Sequence, residues 1–347
     1  NCPKISKSQI INTGHPSFDL LHDELINYYH KLRKLNHDIE PEYILINTNF
    51  ASFNGVFNFE HSKLINDSEK ELFSNKRKET ADKVYKFERD TLSEFIKMIK
   101  YLSKSFNDKT FVVRPHPVEN SKVYEEQFKE HFNVIVSKEG SSKEWIAGAK
   151  CVIHHDCTTG IEAFIAKKNV ISFCPLVDRK EKFISELPRA ISIKLDNIKD
   201  ISDYISRGYR LEKPDSVEIQ LAKMQILKKF IANTNQKATD KIIASIENLF
   251  SNLNTDSPFF LKRIYYLAKL RYVSLIRLIK TKIFGKKTVS QYLKDNSKIK
   301  FLSLTKKEIL ERLEIWNEQF SLKQEYTINQ LQPDTFLIKN TKYDIKK

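Results

Sequence analysis

Short apolar runs alternate with longer amphipathic stretches between residues 42 and 215, and this alternation constrains the fold more than any other feature of the sequence. Five runs have the length and the β-branched content of buried strands. They are Tyr43–Asn47, Thr110–Val113, Val134–Val136, Cys151–Ile153 and Val170–Phe173. Strands that alternate with helices predict βαβ units and a parallel sheet. We therefore predict a Rossmann-like α/β fold for residues 42–215.

The segments on either side have other patterns. Residues 1–41 contain a turn at Thr13–Pro16, a helical stretch from about Ser17 to Leu35, and a polar linker. Residues 216–347 are predicted to form a mostly helical, basic region, with no strong strand before Phe336–Ile338. A chain of 347 residues has the length of about two domains.

The composition excludes several classes of protein. Hydrophobic residues make up 40% of the chain and charged residues 30%, as in globular rather than disordered proteins. Only 7 glycines are present, too few for a fold with several glycine-rich phosphate loops. No apolar run approaches the ~18 residues of a membrane span, and no signal peptide is recognisable at the start of the sequence.

Neither the cysteines nor a histidine pair predicts a metal site. The cysteines form no CxxC pair, which argues against a disulfide framework or zinc and favours reduced thiols in a cytoplasmic protein. They are Cys2, Cys151, Cys157 and Cys174. His154 and His155 precede Asp156, but adjacent side chains of an extended segment point to opposite faces. We expect no bound metal and no cofactor.

Unusual polar residues follow three of the predicted strands. They are Asn47, Thr48 and Asn49 after the first strand, Arg114–Pro117 after the second, and His154–Gly160 after the fourth. Parallel sheets of this class bind ligands at the carboxyl ends of their strands. The sequence therefore predicts a ligand site at this edge, although Asn47 and Asn49 suit a polar loop equally well.

Two prolines flank His116 directly after a predicted strand. Proline fixes φ and removes a donor, so Pro115 and Pro117 would hold the imidazole in one place. A histidine can contact phosphate or ribose oxygens, and Arg114 can pair bidentately with phosphate. The alternative is a rigid turn with an exposed histidine.

Thr158, Thr159 and Gly160 open a predicted helix. Free backbone N–H groups, threonine hydroxyls and a glycine that admits close approach suit a phosphate. Glu162, in the first turn, suits ribose hydroxyls. The alternatives are a threonine N-cap for the helix and a carboxylate that complements the helix dipole.

The basic charge is concentrated near the C-terminal end. The chain carries a net charge of +15, and residues 255–300 hold 12 Lys/Arg against 2 Asp/Glu, or +10 of that total. Apolar residues at helical spacing and several tyrosines are interleaved with these charges. The pattern suits an anionic membrane surface, a helix packed on the protein, or, less well, nucleic acid. We expect no nucleic-acid partner.

Three segments of the chain resemble a known family. Ile44–Phe50, Val113–Pro117 and His154–Ala163, followed by Val170–Phe173, resemble the bacterial surface carbohydrate biosynthesis proteins. More distantly they resemble GT-B glycosyltransferases that use CMP-activated sugars, such as the Kdo and sialic acid transferases. Thr13–Pro16 resembles the Thr-Gly-Asn-Pro element at the interdomain junction of GT-B enzymes, with His15 in place of the asparagine.

The resemblance implies a metal-independent glycosyltransferase, or its donor-binding half. Residues 1–41 would be the interdomain junction and residues 42–215 the nucleotide-sugar-binding domain. The donor would be a nucleotide sugar such as a CMP-linked nonulosonate or Kdo, and the acceptor a surface glycan or lipid-linked glycan. His116, Thr158 and Thr159 would contact phosphate, and Glu162 would lie near the ribose. The protein would be cytoplasmic and peripheral to the inner membrane.

The sequence departs from the GT-B pattern in one respect. A GT-B enzyme has a Rossmann domain before the junction, and that domain often supplies the catalytic base, whereas few residues precede Thr13 here. Either the sequence is a fragment of a longer protein or the partner domain is elsewhere, and the catalytic base is unknown. The alternatives are a CDP-glycerol-type polymer phosphotransferase and a non-catalytic scaffold of glycan assembly.

Overall fold

Six parallel strands form the main sheet of the protein. The computed structural model describes residues 10–37, 39–55, 75–176, 185–212, 215–231, 237–251, 304–332 and 335–341. Helices cover both faces of the sheet, so the predicted Rossmann-like α/β fold is confirmed. The bounds 1–41, 42–215 and 216–347 for separate regions stay a prediction.

The strand order is that of the classic dinucleotide-binding fold. The strands are β1 (Tyr43–Asn47), β2 (Phe111–Arg114), β3 (Val134–Val136), β4 (Ala149–His154), β5 (Asn169–Ser172) and β6 (Ile193–Lys194). They lie in the order β3-β2-β1-β4-β5-β6. All five predicted strands are present. The sixth was not predicted because two residues on a sheet edge leave no periodic pattern.

The helices follow the chain between and after these strands. They are α1 (Pro16–Asp19), α2 (Asp23–Asn36), α3 (Ala51–Asn54), α4 (Asn75–Ser105), α5 (Lys122–Phe128), α6 (Ser142–Gly148), α7 (Thr159–Ile165), α8 (Glu186–Ile191), α9 (Ile198–Ser206), α10 (Val217–Phe230), α11 (Ala238–Ser251) and α12 (Lys306–Gln319). β7 (Tyr326–Gln332) and β8 (Thr335–Asn340) form a separate antiparallel hairpin. β8 contains the strand predicted at Phe336–Ile338, whereas the expectation that no strong strand precedes it is wrong, because β7 does.

The two faces of the sheet have different cores because side chains alternate along each strand. Ile44 and Ile46 of β1 belong to a cluster with helices α4, α5 and α9, and we call this the α4 face. Tyr43 and Leu45 belong to a cluster with Trp145 and Ile146 of α6 and Ala163 of α7, which we call the α6 face. Both faces are therefore buried, as an all-parallel sheet requires.

The strand order reverses between β1 and β4. The chain leaves β1 toward β2 and β3, and returns through α6 to β4 on the other side of β1. In open α/β sheets a ligand crevice forms outside the carboxyl ends of the strands at such a reversal. The end of β1 and the end of β4 mark this position.

The helical stretch predicted near the start is broken into α1 and α2. At the end of α1, the carboxylate of Asp19 accepts hydrogen bonds from the backbone N–H of Ala238 (2.8 Å) and of Thr239 (2.7 Å) at the start of α11. Burial raises the pKa of Asp19, but these hydrogen bonds outweigh it and lower the pKa. A contact between residues 219 positions apart leaves no mark on the local sequence pattern.

Candidate functional site

Three polar side chains form a row at the carboxyl edge of the central strands. Strand register aligns Asn47 of β1 with Arg114 of β2 and with His154 of β4. Asn47 lies two residues after Leu45 on the same strand, so both point to the α6 face, and the row lies there. Asn47 is only 3% exposed, and its Nδ2 has no hydrogen-bond partner among the described residues. The row lies at the reversal of strand order, where a ligand crevice is expected.

The guanidinium of Arg114 is held by the loop after β3. It donates to the carbonyl oxygens of Glu139 (3.3 Å) and Gly140 (2.7 Å). These bonds occupy two of the five N–H donors of an arginine. Burial lowers the pKa of Arg114, while the charges of Glu144 and Glu162 oppose this shift. The side chain is therefore fixed in place with donors left for an anion.

His116 lies half-buried in the loop after β2. Its backbone N–H donates to Glu119 Oε1 at 3.0 Å, and its Nδ1 accepts from the N–H of Val118 at 3.5 Å. Its carbonyl accepts from the N–H of Glu119 at 2.8 Å. The backbone of this turn is thus held by Glu119 in addition to the two prolines that flank the histidine.

Glu162 of α7 is bound to the first residues of α6. Its Oε2 accepts from the hydroxyl of Ser142 at 2.8 Å, and its Oε1 pairs with Lys143 Nζ at 3.1 Å. Glu162 therefore joins the first turns of α6 and α7, a structural contact that neither sequence alternative for this residue included. The ribose contact suggested for it stays a prediction.

The start of α7 differs from a threonine-capped helix. Thr158 is exposed and makes no side-chain capping bond, while Thr159 is half-buried beside the Cys157 thiol. Gly160 is buried against the ring of His154. A Cβ built at Gly160 would lie 2.3 Å from His154 Nε2, so a packing contact also requires glycine here.

His154 and His155 point to opposite faces of the sheet, as predicted. His154 Nε2 lies 2.9 Å from the hydroxyl of Ser192, which itself donates to the carbonyl of Pro188 at 2.6 Å. Nε2 must therefore carry the proton and donate to Ser192. His154 Nδ1 is then an acceptor, and no described residue binds it. Burial lowers the pKa of His154 to about 3, so this ring is neutral.

His155 has a different environment on the α4 face. Its ring lies 5.9 Å from that of Phe50 and 5.7 Å from that of Phe87, and its Nδ1 pairs with Asp156 at 3.2 Å. Burial lowers the pKa of His155, but the contacts with Asp156 and Cys174 outweigh it and raise the pKa to about 9. Within one dipeptide, the ring of His154 is therefore neutral at pH 7 and the ring of His155 is protonated.

The structure collects the predicted residues into two groups linked by the row on the strands. Arg114 and Glu162 lie with the loop after β3 and the start of α6, whereas His116 and the Asn47–Asn49 segment lie with the loops after β1 and β2. Thr158 lies exposed at the start of α7. The half-buried Asn49 directly precedes the buried Phe50.

Glu119 and the loop at residues 137–140 were not among the site residues predicted from the sequence. Glu119 follows His116 by three residues in a predicted turn, and an acidic residue at that spacing can accept the backbone N–H of the turn. The loop at 137–140 acts through its carbonyl oxygens, which any residue type supplies. Within the described ranges, no group of three or more His, Cys, Asp or Glu has metal-site geometry.

A cavity of about 630 Å³ lies away from this edge. It is lined by Lys168 and Asn169, at the amino end of β5, and by residues of α1, α7, α10 and α11. Its walls are mostly apolar, and its charged groups are already engaged: Lys223 pairs with Asp215 at 2.6 Å, and Lys168 donates to a carbonyl. Because it lies at the amino end of β5, the cavity is separate from the row at the carboxyl edge.

No protein-family model matches the chain, and no curated protein matches it in sequence. Among solved structures, the chain is similar to a Methanocaldococcus jannaschii UDP-GlcNAc 2-epimerase in complex with UDP-GlcNAc and UDP. Identity is 13% over 65% of this chain and 56% of that chain, and the TM-score is 0.36.

It is also similar to the wall teichoic acid polymerase TagF, at 11% identity over 72% of this chain and 55% of that chain, with a TM-score of 0.40. The chain spans about half of the length of both structures. Similarity at this level assigns no activity.

Proposed function

We propose that the carboxyl edge of the sheet binds the phosphate portion of a nucleotide-sugar donor, and that the chain is a glycosyltransferase or its donor-binding half. The observation that carries this proposal is the row of Asn47, Arg114 and His154, which ends three adjacent strands at the reversal of strand order. A crevice at this position suits a nucleotide.

The chemistry required of the site is stabilisation of a leaving phosphate. Negative charge develops on the leaving group as the bond to the sugar breaks, and donors fixed in advance lower the energy of that state. Arg114 is held by two carbonyls and His116 by Glu119, so both are fixed before a ligand arrives. Such a site would need no metal ion.

The finer assignments rest on the sequence resemblance. The donor would be a CMP-linked nonulosonate or Kdo, and the acceptor a bacterial surface glycan or its lipid-linked precursor. Thr158, Thr159 and Gly160 would contact the phosphate, Asn49 would line the same edge, and Glu162 would lie near the ribose. No residue of the chain is assigned as the catalytic base.

Substitution of His116 by alanine tests the site directly. Isothermal calorimetry of the full chain with CMP, CDP, UDP and GDP first identifies the nucleotide that binds. His116→Ala should then weaken the binding of that nucleotide by about 1–3 kcal/mol, the scale for losing a hydrogen bond to a charged group. That loss corresponds to roughly 5–150-fold in Kd.

His131→Ala is the matched control. His131 lies three residues before Val134, the first residue of β3, at the amino edge of the sheet, where its ring contacts Ser103. It should leave nucleotide affinity unchanged. Equal affinity of wild type and His116→Ala, with the circular dichroism spectrum intact, would remove His116 from the site. Binding of CDP-glycerol in preference to CMP-sugars would replace the glycosyltransferase by a polymer phosphotransferase.

A further inference from the structure

The carboxylate of Glu119 lies between the loop after β1 and the loop after β2, and it is 0% exposed. Its Oε1 accepts from the hydroxyl of Thr48 at 3.0 Å and from two backbone N–H groups, those of Phe50 at 3.2 Å and His116 at 3.0 Å. One oxygen atom therefore binds groups from both loops.

The second oxygen and the backbone of Glu119 extend this connection. Oε2 accepts from the Tyr124 hydroxyl and, at 3.5 Å, from Asn54 Nδ2. Gly55 and Glu119 form an antiparallel bridge, and Lys138 Nζ donates to the carbonyl of Glu119 at 2.7 Å. Residue 119 thus joins the loops that follow β1, β2 and β3.

The cost of this arrangement separates it from an ordinary turn. Removing a carboxylate from water is expensive unless hydrogen bonds replace its hydration. Here five donors surround it, and burial still raises the pKa of Glu119. An apolar residue at this position would leave the donors of Thr48, Phe50 and His116 buried and unsatisfied, at a cost of about 1–3 kcal/mol each.

We propose that Glu119 is a positioning residue, which holds the His116 turn and the Asn47–Phe50 segment in the arrangement that binds the donor phosphate. This inference rests on the proposed function. Glu119 itself would not touch the ligand, because all of its side chain is covered. Its side chain would fix the two loops near His116, in addition to the bond that the Asn120 N–H donates to the carbonyl of Asn54 at 2.8 Å.

Two substitutions at position 119 separate positioning from charge. Glu119→Gln keeps an oxygen for Thr48, Phe50 and His116, and its amide can donate to the Tyr124 hydroxyl. Glu119→Leu removes every acceptor. A positioning role predicts that the Leu variant binds nucleotide about tenfold more weakly while Gln stays near the wild-type affinity. If Glu119 acted only by its negative charge, both neutral variants would bind the anionic nucleotide more tightly.

A double-mutant cycle tests whether Glu119 acts through His116. In the His116→Ala background, the factor by which Glu119→Leu weakens nucleotide binding should be less than half of the factor measured in the wild-type background. The reason is that the effects of coupled residues are not additive. An undiminished loss in that background overturns the proposal, as does unchanged affinity in the Leu variant. Thr48→Val, which removes a single donor, should give a smaller loss and guards against misfolding of the Leu variant.

Hydrogen exchange gives a readout that needs no ligand. Glu119→Leu should speed amide exchange in both segments 48–55 and 115–120, whereas Glu126→Leu, at an exposed position of α5, should not. Unchanged exchange in either segment overturns the positioning role. If the wild-type protein binds none of the nucleotides, the proposed function is wrong, and the exchange experiment alone decides whether Glu119 holds the loops.

Discussion

At the scale of the residue, the contact between Gly160 and His154 defines the start of α7. His154 is fully buried, and its ring occupies the space that a side chain at position 160 would need. The ring cannot move away freely because its Nε2 donates to Ser192 at 2.9 Å. The identity of residue 160 is therefore set by a neighbour on β4 as well as by any ligand.

Gly160→Ala should destabilise the fold by about 1–3 kcal/mol, the cost of adding an atom to a filled core. The measurement is chemical denaturation of wild type, Gly160→Ala, His154→Ala and the double variant. Because His154→Ala empties the space, the double variant should be more stable than the sum of the two single losses predicts. Strict additivity would mean that the two residues do not contact each other.

At the scale of the element, α6 is the helix that fixes the start of α7 beside the carboxyl edge of the sheet. Ser141 and Glu144 form a capping box at its start, where the Glu144 side chain accepts from the Ser141 N–H at 3.0 Å and hydroxyl at 2.9 Å. The next residues, Ser142 and Lys143, hold Glu162 of α7. Stability of this cap is thereby coupled to the position of α7.

Ser141→Ala should lower the free energy of unfolding by about 1 kcal/mol, because it removes the acceptor of an N-terminal N–H group. Ser141→Gly should cost only about a few tenths of a kcal/mol, because glycine is itself a favoured N-cap residue. Urea denaturation followed by circular dichroism compares the two. No loss of stability in either variant would show that the cap hydroxyl does not contribute.

At the scale of the whole molecule, the charge of the chain is unevenly distributed. The basic stretch 255–300 lies outside the described residues, so its role at a membrane stays a prediction. Among the described helices, none combines the length and apolar character needed to cross a bilayer. We propose that this stretch holds the protein reversibly at an anionic membrane surface, where lipid-linked acceptors would be met.

Liposome sedimentation tests this proposal. Each basic residue near an anionic surface contributes about 1 kcal/mol, screened within a Debye length of roughly 8 Å at physiological salt. Binding should therefore need anionic lipid and weaken as salt rises. It should also fall in a variant with glutamate at four lysines of the stretch, Lys280, Lys282, Lys286 and Lys287.

The matched control places the same number of charge reversals elsewhere on the surface, at Lys104, Lys129, Lys194 and Lys199, which are exposed. This variant has the same net charge as the first. If both variants lose binding equally, total charge rather than the stretch 255–300 governs attachment. If the wild-type protein does not bind anionic liposomes at low salt, the membrane role is wrong and the stretch is a structural region.

Local patterns account for the part of the fold that the sequence predicted. The apolar runs of β1 to β5 and the helical periods between them are properties of consecutive residues, and from them follow a parallel sheet and a candidate site at its carboxyl edge. His116 and Arg114 could be selected as site candidates because they follow a strand directly. The prolines beside His116 marked its turn in the same way.

The amino-acid sequence by itself determined the α/β class, five strands and the edge at which polar residues gather. Only the tertiary structure decided which groups meet there. Glu119 binds Thr48 across 71 positions, and His154 meets Ser192 across 38. The division has a physical reason: periodicity reports how one segment buries its own apolar face, whereas a buried polar group finds its partner wherever the packed sheet brings a donor within about 3 Å.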